Sequence, residues 1–557
     1  MSKEILVDVQ EEQVLVAVVE DENLVEVYLE RELNKRLVGN IYLGKVENVL
    51  PGMQAAFVDI GLEKNAFLFV EDIMINKTLM EEYGQMPQVN ICDVLKTGQT
   101  VLVQITKEPA GTKGARVTTN ITLPGRYTVL MPYVDYVGVS RKIEDESERD
   151  RLKNIALNLK PQKMGIILRT VASGAQEKEL ARDLNTLKEI WTRVSSKIHS
   201  SAAPKLVYND LGLTQRIVRD LLSEDVKKII VNSMEVKEKI EESISMLVPN
   251  NRHRVLYEPG DILDYYSVMH QLDEAFNKKV WLKSGAYIVI DQMEALTSID
   301  VNTGKYIGKD NLQSTVLDTN LQAVVEIVRQ LRLRNIGGII IIDFIDMENP
   351  RDRQLVLDSL EKELKKDKTK SSIMGITNLG LVEMTRKKAR LGLDSLMLTE
   401  CPYCQGKGKL LSIETIALST KKKIHHLAEK TLQSALLIIA HSLVAAQLIG
   451  PGGSSLKRLE ESTGKTIVIK GEDNLHLEHV EIRTISDKEI EAYLPVKEGD
   501  VISLKIEESQ TGREYDGIAR LNGYVVSIVG GGALVGREVP VRITKAYRTY
   551  ARGEVTI

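Results

Sequence analysis

The chain has 557 residues, of which 43% are hydrophobic and 27% are charged. A chain of this length holds roughly three to five domains. Its net charge of −4 excludes a uniformly basic nucleic-acid binder, and its three cysteines are too few for a disulfide framework and fit a reducing compartment. No apolar stretch reaches the roughly 18 residues that span a membrane, and the first residues lack a signal-peptide pattern, so we expect a soluble cytoplasmic protein.

The amino-terminal half is predicted to alternate between strand-rich and helical regions. Residues 1–36 alternate apolar and polar side chains, which is typical of antiparallel strands. Residues 37–119 continue as short strands separated by turn residues, the pattern of a small closed barrel. Residues 120–213 contain a charged helix and a second helical stretch, and residues 214–280 mix strands with helices.

Aromatic residues single out the barrel segment. The chain has five phenylalanines, and three of them, Phe57, Phe67 and Phe69, fall within thirteen residues. Lys107 and Lys113 belong to the same segment, and an aromatic stacking surface beside cations is what single-stranded nucleic acid requires. The alternative is that the phenylalanines form the barrel core, and we expect at least one of them to do so.

A candidate phosphate site follows the strand-like run MGIIL. Arg169 and Thr170 place a guanidinium and a hydroxyl at a loop, with Gly174 shortly after them. An arginine donates parallel hydrogen bonds to a phosphate, so the pair suits a terminal phosphate group. The two residues alone do not separate a phosphate pocket from an ordinary loop.

Two aspartates each end an apolar, strand-like run. Asp300 ends EALTSID, and Asp343 ends GGIIIID, in which four isoleucines predict a buried strand; a predicted amphipathic helix connects the two runs. Two acids at one sheet edge repel each other unless a cation lies between them. Oxygen ligands suit Mg²⁺ or Mn²⁺, so we favour phosphodiester hydrolysis by a metal-activated water. The alternative is that both side chains only cap strand ends or the following helices.

The cysteine pair in CPYCQGKGK is predicted to be half of a zinc site. Structural zinc takes four ligands, whereas Cys401 and Cys404 supply two, and no cysteine follows them. Two chains can share one site and so form a dimer, or His425 and His426 can complete it within one chain. A redox role is a third reading, which the absence of a preceding βαβ pattern disfavours. Cys92 is predicted to be a small buried residue.

Two further modules follow the cysteines. Gly450 and Gly453 lie in a GPGG loop between two predicted helices, which is the order of a KH-like domain whose bare backbone lets phosphates approach. The alternative is a helix–turn–helix with a glycine cap. Residues 491–557 contain five strand-like runs and predict a second OB-type barrel, with basic residues near its last strand: Arg542, Lys545 and Arg548.

From about residue 1 to 480, these motifs resemble those of the RNase E/G family of bacterial endoribonucleases. ALTSIDVN, TNLQAVVEIVRQLRLRNIGGIIIIDFIDM and CPYCQGKG occur in the order and spacing of that family. The resemblance implies that Asp300 and Asp343 bind a catalytic Mg²⁺, and that Asn302 holds the hydrogen bonds of the site. It also implies that Cys401 and Cys404 supply half of an intersubunit Zn²⁺ link.

The same resemblance implies how RNA is bound. The first barrel is expected to be of the ribosomal-protein S-one type and to clamp RNA with Phe57, Phe67 and Lys113. Arg169 and Thr170 match the family's sensor for a 5′-monophosphate. The spacer TGKYIGKDN after Asn302 differs from the family pattern, so no basic residue there is assigned to the site.

The predicted fold class is a multidomain α/β protein, divided as the resemblance implies. The expected parts are an RNase H-like subdomain (1–36 and 214–280), an OB-fold barrel (37–119), a 5′-sensor region (120–213), a DNase I-like subdomain (281–400), a zinc link (401–412), a KH-like small domain (413–485) and a TRAM-like OB-fold domain (491–557).

The predicted function is Mg²⁺-dependent endonucleolytic cleavage of single-stranded RNA in RNA processing and mRNA decay, with a preference for 5′-monophosphorylated substrates and with 5′-phosphate and 3′-hydroxyl products. The expected partners are RNA and a second copy of the chain, in a dimer or a tetramer, without a degradosome scaffold. The alternative is a non-catalytic or weakly catalytic RNA-binding protein. A DNA-directed phosphodiesterase is disfavoured because KH-like and OB-type modules favour single strands.

Overall fold

The computed structural model describes residues 3–31, 36–73, 90–109, 113–222, 225–247, 254–304, 312–388, 390–510, 513–548 and 550–556. The chain divides into two compact units, Met1–Leu398 and Thr399–Ile557. Within the described ranges, no helix combines the length and the apolar character needed to cross a membrane.

The first unit alternates short strands with helices. Its strands are β1 (Lys3–Val9), β2 (Gln13–Glu20), β3 (Asn23–Arg31), β4 (Ile41–Leu50), β5 (Ala55–Asp59), β6 (Ala66–Phe69), β7 (Thr100–Lys107), β8 (Arg116–Thr118), β9 (Leu123–Pro124), β10 (Thr128–Met131), β11 (Val137–Val139), β12 (Gly165–Leu168), β13 (Lys205–Tyr208), β14 (Val226–Val231), β15 (Arg254–Tyr257), β16 (Lys279–Trp281), β17 (Tyr287–Gln292), β18 (Leu296–Asn302), β19 (Gly338–Asp343), β20 (Ser371–Ile376) and β21 (Val382–Arg386). Its helices are α1 (Ile91–Val94), α2 (Glu146–Leu159), α3 (Glu177–His199), α4 (Leu213–Arg216), α5 (Met234–Leu247), α6 (Ile262–Tyr265), α7 (Val268–Glu274), α8 (Leu312–Leu333), α9 (Pro350–Leu364) and α10 (Leu393–Met397), and a π-helical turn spans Ile217–Leu221.

Three of the sheets in this unit are formed mainly by its amino-terminal half. A five-stranded sheet has the order β15-β14-β1-β2-β3. The strands before the long segment between β3 and β14 and the strands after it therefore share one sheet. The strands β4, β5, β6, β8 and β7 form a barrel that the β4–β7 pairing closes, and β13 is added outside it along β4. The small closed barrel predicted from the sequence is therefore confirmed. A four-stranded sheet has the order β11-β12-β10-β9. Its strands follow the barrel strands β4–β8 in the sequence.

The sheet with the two predicted acids has the order β16-β17-β18-β19-β21-β20. Its strands β18 and β19 are parallel, and α8 connects them. Apolar side chains on one face of the sheet pack with α8 and α9 into a buried core. Ile340 and Ile342 belong to that core, whereas 51% of Ile339 is exposed. The prediction that the whole isoleucine run is buried was wrong, because helices cover only one face of the sheet.

The second unit contains an α+β part and a barrel. Its strands are β22 (Ala435–Ala440), β23 (Thr466–Gly471), β24 (Val480–Ile485), β25 (Val501–Gln510), β26 (Arg513–Leu521), β27 (Tyr524–Val529), β28 (Glu538–Ala546) and β29 (Tyr550–Val555), and its helices are α11 (Ile413–Lys430), α12 (Ser442–Ile449) and α13 (Ser454–Thr463). The three-stranded sheet has β22 at its centre, parallel to β23 and antiparallel to β24. The last five strands close into a barrel in the order β25-β26-β27-β29-β28, which confirms the second barrel.

A buried ion-pair network joins α8 to the first sheet. The guanidinium of Arg332 donates to Glu20 at 2.8 Å and to Glu26 at 2.9 Å, and the Arg332 side chain is only 6% exposed. The hydroxyl of Tyr28 also donates to Glu26, at 2.6 Å. Burial opposes ionisation of Glu26, but Arg332 and Tyr28 outweigh it and lower the pKa of Glu26 to about 2. The network therefore holds the sheet of the two acids against the amino-terminal sheet through charged contacts.

We expect this network to make the first unit sensitive to acid. Because the pKa of Glu26 falls from 4.5 to about 2 on folding, its contribution to stability is complete above pH 4.5 and is lost as the pH falls towards 2. Glu26→Gln should lower the free energy of unfolding at neutral pH by about 3 kcal/mol and flatten its decline in acid. Urea unfolding of wild type and variant over a pH series measures both effects. Glu294→Gln, at an exposed glutamate, is the control, and parallel pH profiles for wild type and Glu26→Gln would contradict the prediction.

Candidate active site

The two strand-end aspartates are brought directly opposite each other. In the parallel pairing of β18 with β19, Asp300 is the register partner of Asp343. Paired residues on neighbouring strands lie on the same face, and the strands are roughly 5 Å apart. Both side chains are exposed. The fold thus forms a paired-carboxylate site from residues that the sequence separates by a whole helix.

Electrostatic repulsion is built into this pair. The pKa of Asp343 is raised, first by partial burial of its carboxyl group and then by the negative charges of Asp300 and Asp346. The charged groups that act on Asp343 are thus acidic. Asp346 was not predicted as part of the site, although its position three residues after Asp343 in DFIDM could have indicated it.

Asn302, to which the family resemblance assigns the hydrogen bonds of the site, lies beside Asp300. Its Nδ2 donates a hydrogen bond of 2.7 Å to Oδ2 of Asp300, two residues earlier on the same face of β18. This contact fixes one carboxylate oxygen and leaves the other available. The segment 305–311, which includes most of the spacer TGKYIGKDN, lies outside the described residues.

A buried asparagine on α8 holds the turn that follows Asp343. The side chain of Asn320 is fully buried, donates to the carbonyl oxygen of Ile345 at 2.9 Å and accepts from the Ile345 N–H at 3.1 Å. These bonds satisfy both backbone groups of Ile345, which directly precedes Asp346, and so orient the acidic turn. The sequence interpretation gave Asn320 no role, although an amide on the apolar face of a helix is a signal of this kind.

The donor set fits a hard divalent cation that is completed by other ligands. Carboxylate and amide oxygens are the groups that Mg²⁺ prefers, and Mg²⁺ commonly takes only one or two protein carboxylates. Throughout the described ranges, no group of three or more His, Cys, Asp or Glu side chains is positioned to hold a metal by itself. An ion held by Asp300 and Asp343 would therefore complete its shell with water and substrate oxygens.

The three phenylalanines form one cluster on the first barrel. Phe57 and Phe67 are register partners with ring centroids 5.5 Å apart, and Phe67 and Phe69 are 4.4 Å apart. All three rings are half-buried, and none belongs to the barrel core. The prediction that at least one of them forms the core was wrong, because Val, Ile, Leu and Ala side chains fill the barrel.

Two cations accompany these rings. Lys113 is exposed. The residues that follow it run beside Phe67, whose N–H donates to the carbonyl oxygen of Ala115 at 2.7 Å. The guanidinium of Arg116 lies 4.6 Å from the centroid of the Phe69 ring and is paired with Asp72 at 2.6 Å. Arg116 was not predicted from the sequence. An aromatic surface flanked by cations is the arrangement that single-stranded nucleic acid uses.

Arg169 lines a basic cavity, whereas Thr170 contacts a neighbouring loop. Arg169 donates to the carbonyl oxygen of Gly125 at 2.6 Å and pairs with Asp220 at 2.7 Å, so its guanidinium is held in place by the fold. The hydroxyl of Thr170 is 2.8 Å from that of Ser140. The cavity measures about 270 Å³, and its lining includes seven cationic side chains: Arg36, Arg169, Arg216, Arg332, Lys368, Arg386 and Arg390.

The cysteine knuckle directs backbone N–H groups at both of its sulfur atoms. The pKa of the Cys401 thiol is lowered because its sulfur accepts hydrogen bonds from the backbone N–H groups of Cys404 and Tyr403. The N–H of Gly408 donates to the sulfur of Cys404 at 3.3 Å. A thiolate is the form that binds zinc, so the two residues fit half of a zinc site.

Neither histidine proposed for a single-chain zinc site joins the cysteines in the described part of the second unit, where no cluster of three metal-ligating side chains forms. His425 instead contacts Ser462 at 3.4 Å. Cys92 is exposed, so the prediction that it is buried was wrong. Its position at the start of α1 leaves its side chain outside the barrel core.

The glycine loop and the basic tail residues are where the sequence placed them. Gly450 and Gly453 lie between α12 and α13, and both have positive φ angles, 71° and 76°. A Cβ at Gly450 would approach Ser455 to 2.6 Å, so the turn requires glycine there. Arg542 and Lys545 are exposed on β28, whereas Arg548 is paired with Glu460 at 2.6 Å.

Comparison with known proteins agrees with this architecture. Residues 122–389 match the Ribonuclease E/G family, residues 400–485 match the RNase E/G thioredoxin-like domain, and residues 495–556 match the TRAM domain. The family description of residues 400–485 is therefore thioredoxin-like, where the sequence pattern suggested a KH-like domain. The TRAM domain predicted at the carboxyl-terminal end is confirmed.

Curated relatives extend the similarity over most of the chain. Ribonuclease G of Escherichia coli strain K12 is 42% identical over 486 residues, which cover 86% of this chain and 99% of the relative. Ribonuclease G of Haemophilus influenzae is 39% identical over 484 residues, with the same two coverages, 86% and 99%. Ribonuclease E of a Nostoc species is 42% identical over 385 residues, which cover 67% of this chain and 54% of the relative. The chain belongs to the ribonuclease E/G family.

Proposed function

We propose that this protein is a metal-dependent endoribonuclease that cleaves single-stranded RNA. The observation that carries the proposal is the direct pairing of Asp300 with Asp343 on one exposed sheet face, in a chain whose relatives are named ribonucleases. We place the activity in RNA processing and mRNA decay. The preferred substrate is RNA with a 5′-monophosphate.

Asp300, Asp343 and Asn302 have distinct roles in the proposed site. Asp300 and Asp343 would hold Mg²⁺, and Asn302 keeps the Asp300 carboxylate in one orientation through its 2.7 Å hydrogen bond. A bound Mg²⁺ lowers the pKa of a coordinated water and offsets the charge of the phosphate. In the proposed hydrolysis, the oxygen of a water molecule would bond to phosphorus as the bond from phosphorus to the 3′ oxygen breaks. That oxygen takes up a proton, which leaves a 3′-hydroxyl on one fragment and a 5′-phosphate on the other.

Separate surfaces bind the RNA and sense its end. Phe57 and Phe67 stack bases while Lys113 attracts the backbone, and Gly450 and Gly453 offer bare backbone to a phosphate. Arg169 and Thr170 read the 5′-monophosphate. Cations outnumber acids in the lining of the Arg169 cavity, seven against the three carboxylates of Glu26, Asp220 and Asp367, and this excess supports the assignment because it favours a negatively charged end of the substrate.

Removing either paired carboxylate should abolish cleavage without abolishing binding. Asp300→Asn or Asp343→Asn keeps the side-chain shape but removes the charge that holds Mg²⁺, so single-turnover cleavage of labelled RNA should fall by at least about 100-fold. Fluorescence anisotropy should show unchanged RNA affinity. Asp291→Asn, at an aspartate on the neighbouring β17 that pairs with Lys278, is the matched control. Full activity in excess EDTA would refute metal catalysis, and equal loss of binding and cleavage would leave the protein as an RNA binder.

We propose a Zn²⁺ link between two copies of the chain, since each copy offers two thiols. Zinc content should be about half an ion per chain, because four ligands complete one site. Cys401→Ser should convert dimers into monomers in sedimentation velocity, whereas Cys92→Ser, at an exposed thiol, should not. One zinc ion per chain in a monomer would contradict the shared site and favour a ligand set completed within one chain.

Replacing the sensor residues should remove a preference and leave basal cleavage. Arg169→Gln loses a charge-assisted contact worth roughly 1.5 to 3 kcal/mol, so cleavage of 5′-monophosphorylated RNA should slow by about 10-fold or more, with little effect on 5′-triphosphate or 5′-hydroxyl RNA. Thr170→Val tests the hydroxyl separately. Because Arg169 also contacts Gly125 and Asp220, thermal unfolding is measured alongside. Equal slowing on all three RNAs would show that Arg169 supports the fold rather than sensing the end.

A further inference from the structure

We propose that Trp281, Tyr287 and Lys279 form a nucleotide platform that positions RNA beside the paired carboxylates. The platform consists of these three residues of β16 and β17. It rests on the proposed function, because it assigns a place to one nucleotide of the substrate next to the cleavage site.

Strand register places the platform in line with the site. Trp281 is the partner of Tyr287 across β16 and β17, and Tyr287 is the partner of Asn302 across β17 and β18. Directly paired residues share a face of the sheet. Trp281, Tyr287 and Asn302 therefore form one row, and Trp281 lies two strand spacings, roughly 10 Å, from Asn302.

A second row runs parallel to the first. Lys279 is paired with Val289, Val289 with Asp300, and Asp300 with Asp343. Because residues two apart on a strand share a face, this row lies on the same face as Trp281 and Asn302. The platform and the carboxylates are thus parts of one continuous surface.

This surface faces outward. The alternate residues of the same strands, including Ile288, Ile299 and Ile340, are no more than 1% exposed and belong to the core under the helices. On the outer face, Trp281 is 60% exposed. Its strand β16 is also the edge of the sheet, so within the described ranges no further strand flanks Trp281 on that side.

The side chains of the platform match a nucleotide. The Trp281 and Tyr287 rings meet edge to face with centroids 5.3 Å apart. The ammonium of Lys279 lies 4.0 Å from the Trp281 centroid and 3.6 Å from that of Tyr287. Its neighbour Lys278 pairs with Asp291 at 2.5 Å, whereas Lys279 forms no ion pair with any residue in the described ranges.

These features identify single-stranded RNA as the occupant. A base stacks on the exposed Trp281 ring, and the ammonium of Lys279 meets the adjoining phosphate. Without other groups nearby, the carboxylates on the same surface would repel the RNA backbone. The Lys279 ammonium and the Trp281 ring therefore hold the RNA in a fixed position relative to the carboxylates. The platform is therefore a positioning element, and stacking is tolerant of base identity.

Intrinsic fluorescence tests whether RNA reaches the platform. The chain has two tryptophans, and the other, Trp191, is 8% exposed and packed against Tyr133. Titrating a single-stranded oligoribonucleotide into the Asp343→Asn protein should quench Trp281 emission in step with binding followed by anisotropy. The quench should disappear in Asp343→Asn, Trp281→Phe. Binding without a quench, or a quench that survives Trp281→Phe, would overturn the proposal.

Cleavage kinetics test whether the platform positions the substrate. Trp281→Ala should lower kcat/KM by about 10-fold, the loss expected for one stacked base, and Trp281→Phe should restore most of it. Tyr265→Ala, at a tyrosine that is 79% exposed, should leave kcat/KM unchanged. A series of RNAs, each with one abasic nucleotide, should include one position near the cleaved bond at which the missing base slows cleavage by the wild type. At that position, the missing base should not slow cleavage by Trp281→Ala any further. Additive losses at every position would overturn the proposal.

The outcomes separate this inference from the proposed function. If the wild type cleaves RNA and Trp281→Ala matches it, the platform is refuted and the nuclease assignment stands. If no RNA is cleaved but Trp281 is still quenched on binding, the nuclease assignment fails and the platform stands. If Trp281→Ala instead changes the sedimentation coefficient, the face is an interface between copies of the chain, and the proposal is overturned.

Discussion

The parallel pairing of β18 with β19 is the constraint on which the rest of the candidate site depends. Only this register sets Asp300 opposite Asp343, and a shift by one residue would turn one carboxylate to the buried face. Parallel neighbours need a crossover connection, and α8 supplies it while packing its apolar side on the sheet. Partial burial of the Asp343 carboxyl group and repulsion from Asp300 raise the pKa of Asp343, and the apolar core between the sheet and the helix offsets this cost.

Helix α8 links this site to the rest of the first unit. Near its middle, Asn320 binds both backbone groups of Ile345 and so fixes the acidic turn. Near its end, Arg332 is held by Glu20 and Glu26 of the amino-terminal sheet. Helix α8 thus connects the position of the carboxylates to a buried charged network. A change at the contacts of Arg332 can therefore be transmitted to the site along the helix.

The surfaces proposed to bind RNA use the same chemistry on different scaffolds. The barrel presents Phe57 and Phe67 on adjacent strands, and the sheet of the paired aspartates presents Trp281 and Tyr287 in the same manner. In both places cross-strand pairing sets two rings edge to face and leaves part of their surface exposed. On the barrel, Arg116 lies over the adjoining Phe69 ring, and Lys279 lies over both rings of the other pair. Cations beside aromatic rings suit a ligand that alternates flat bases with phosphates.

The sequence by itself determined the local elements and the chemistry that they carry. Strand periodicity predicted both barrels, the apolar runs placed acids at strand ends, and CPYC defined a two-thiol knuckle, because such signals depend on near neighbours in the chain. Tertiary structure decided which face each residue occupies. Ile339 is exposed although its run is apolar, and the three phenylalanines lie outside the barrel core. Asp346 and Asn320 adjoin the paired aspartates, and Trp281 lies on the same face of their sheet. These outcomes depend on sheet register and on which face the helices cover, and both are set by contacts between residues far apart in sequence.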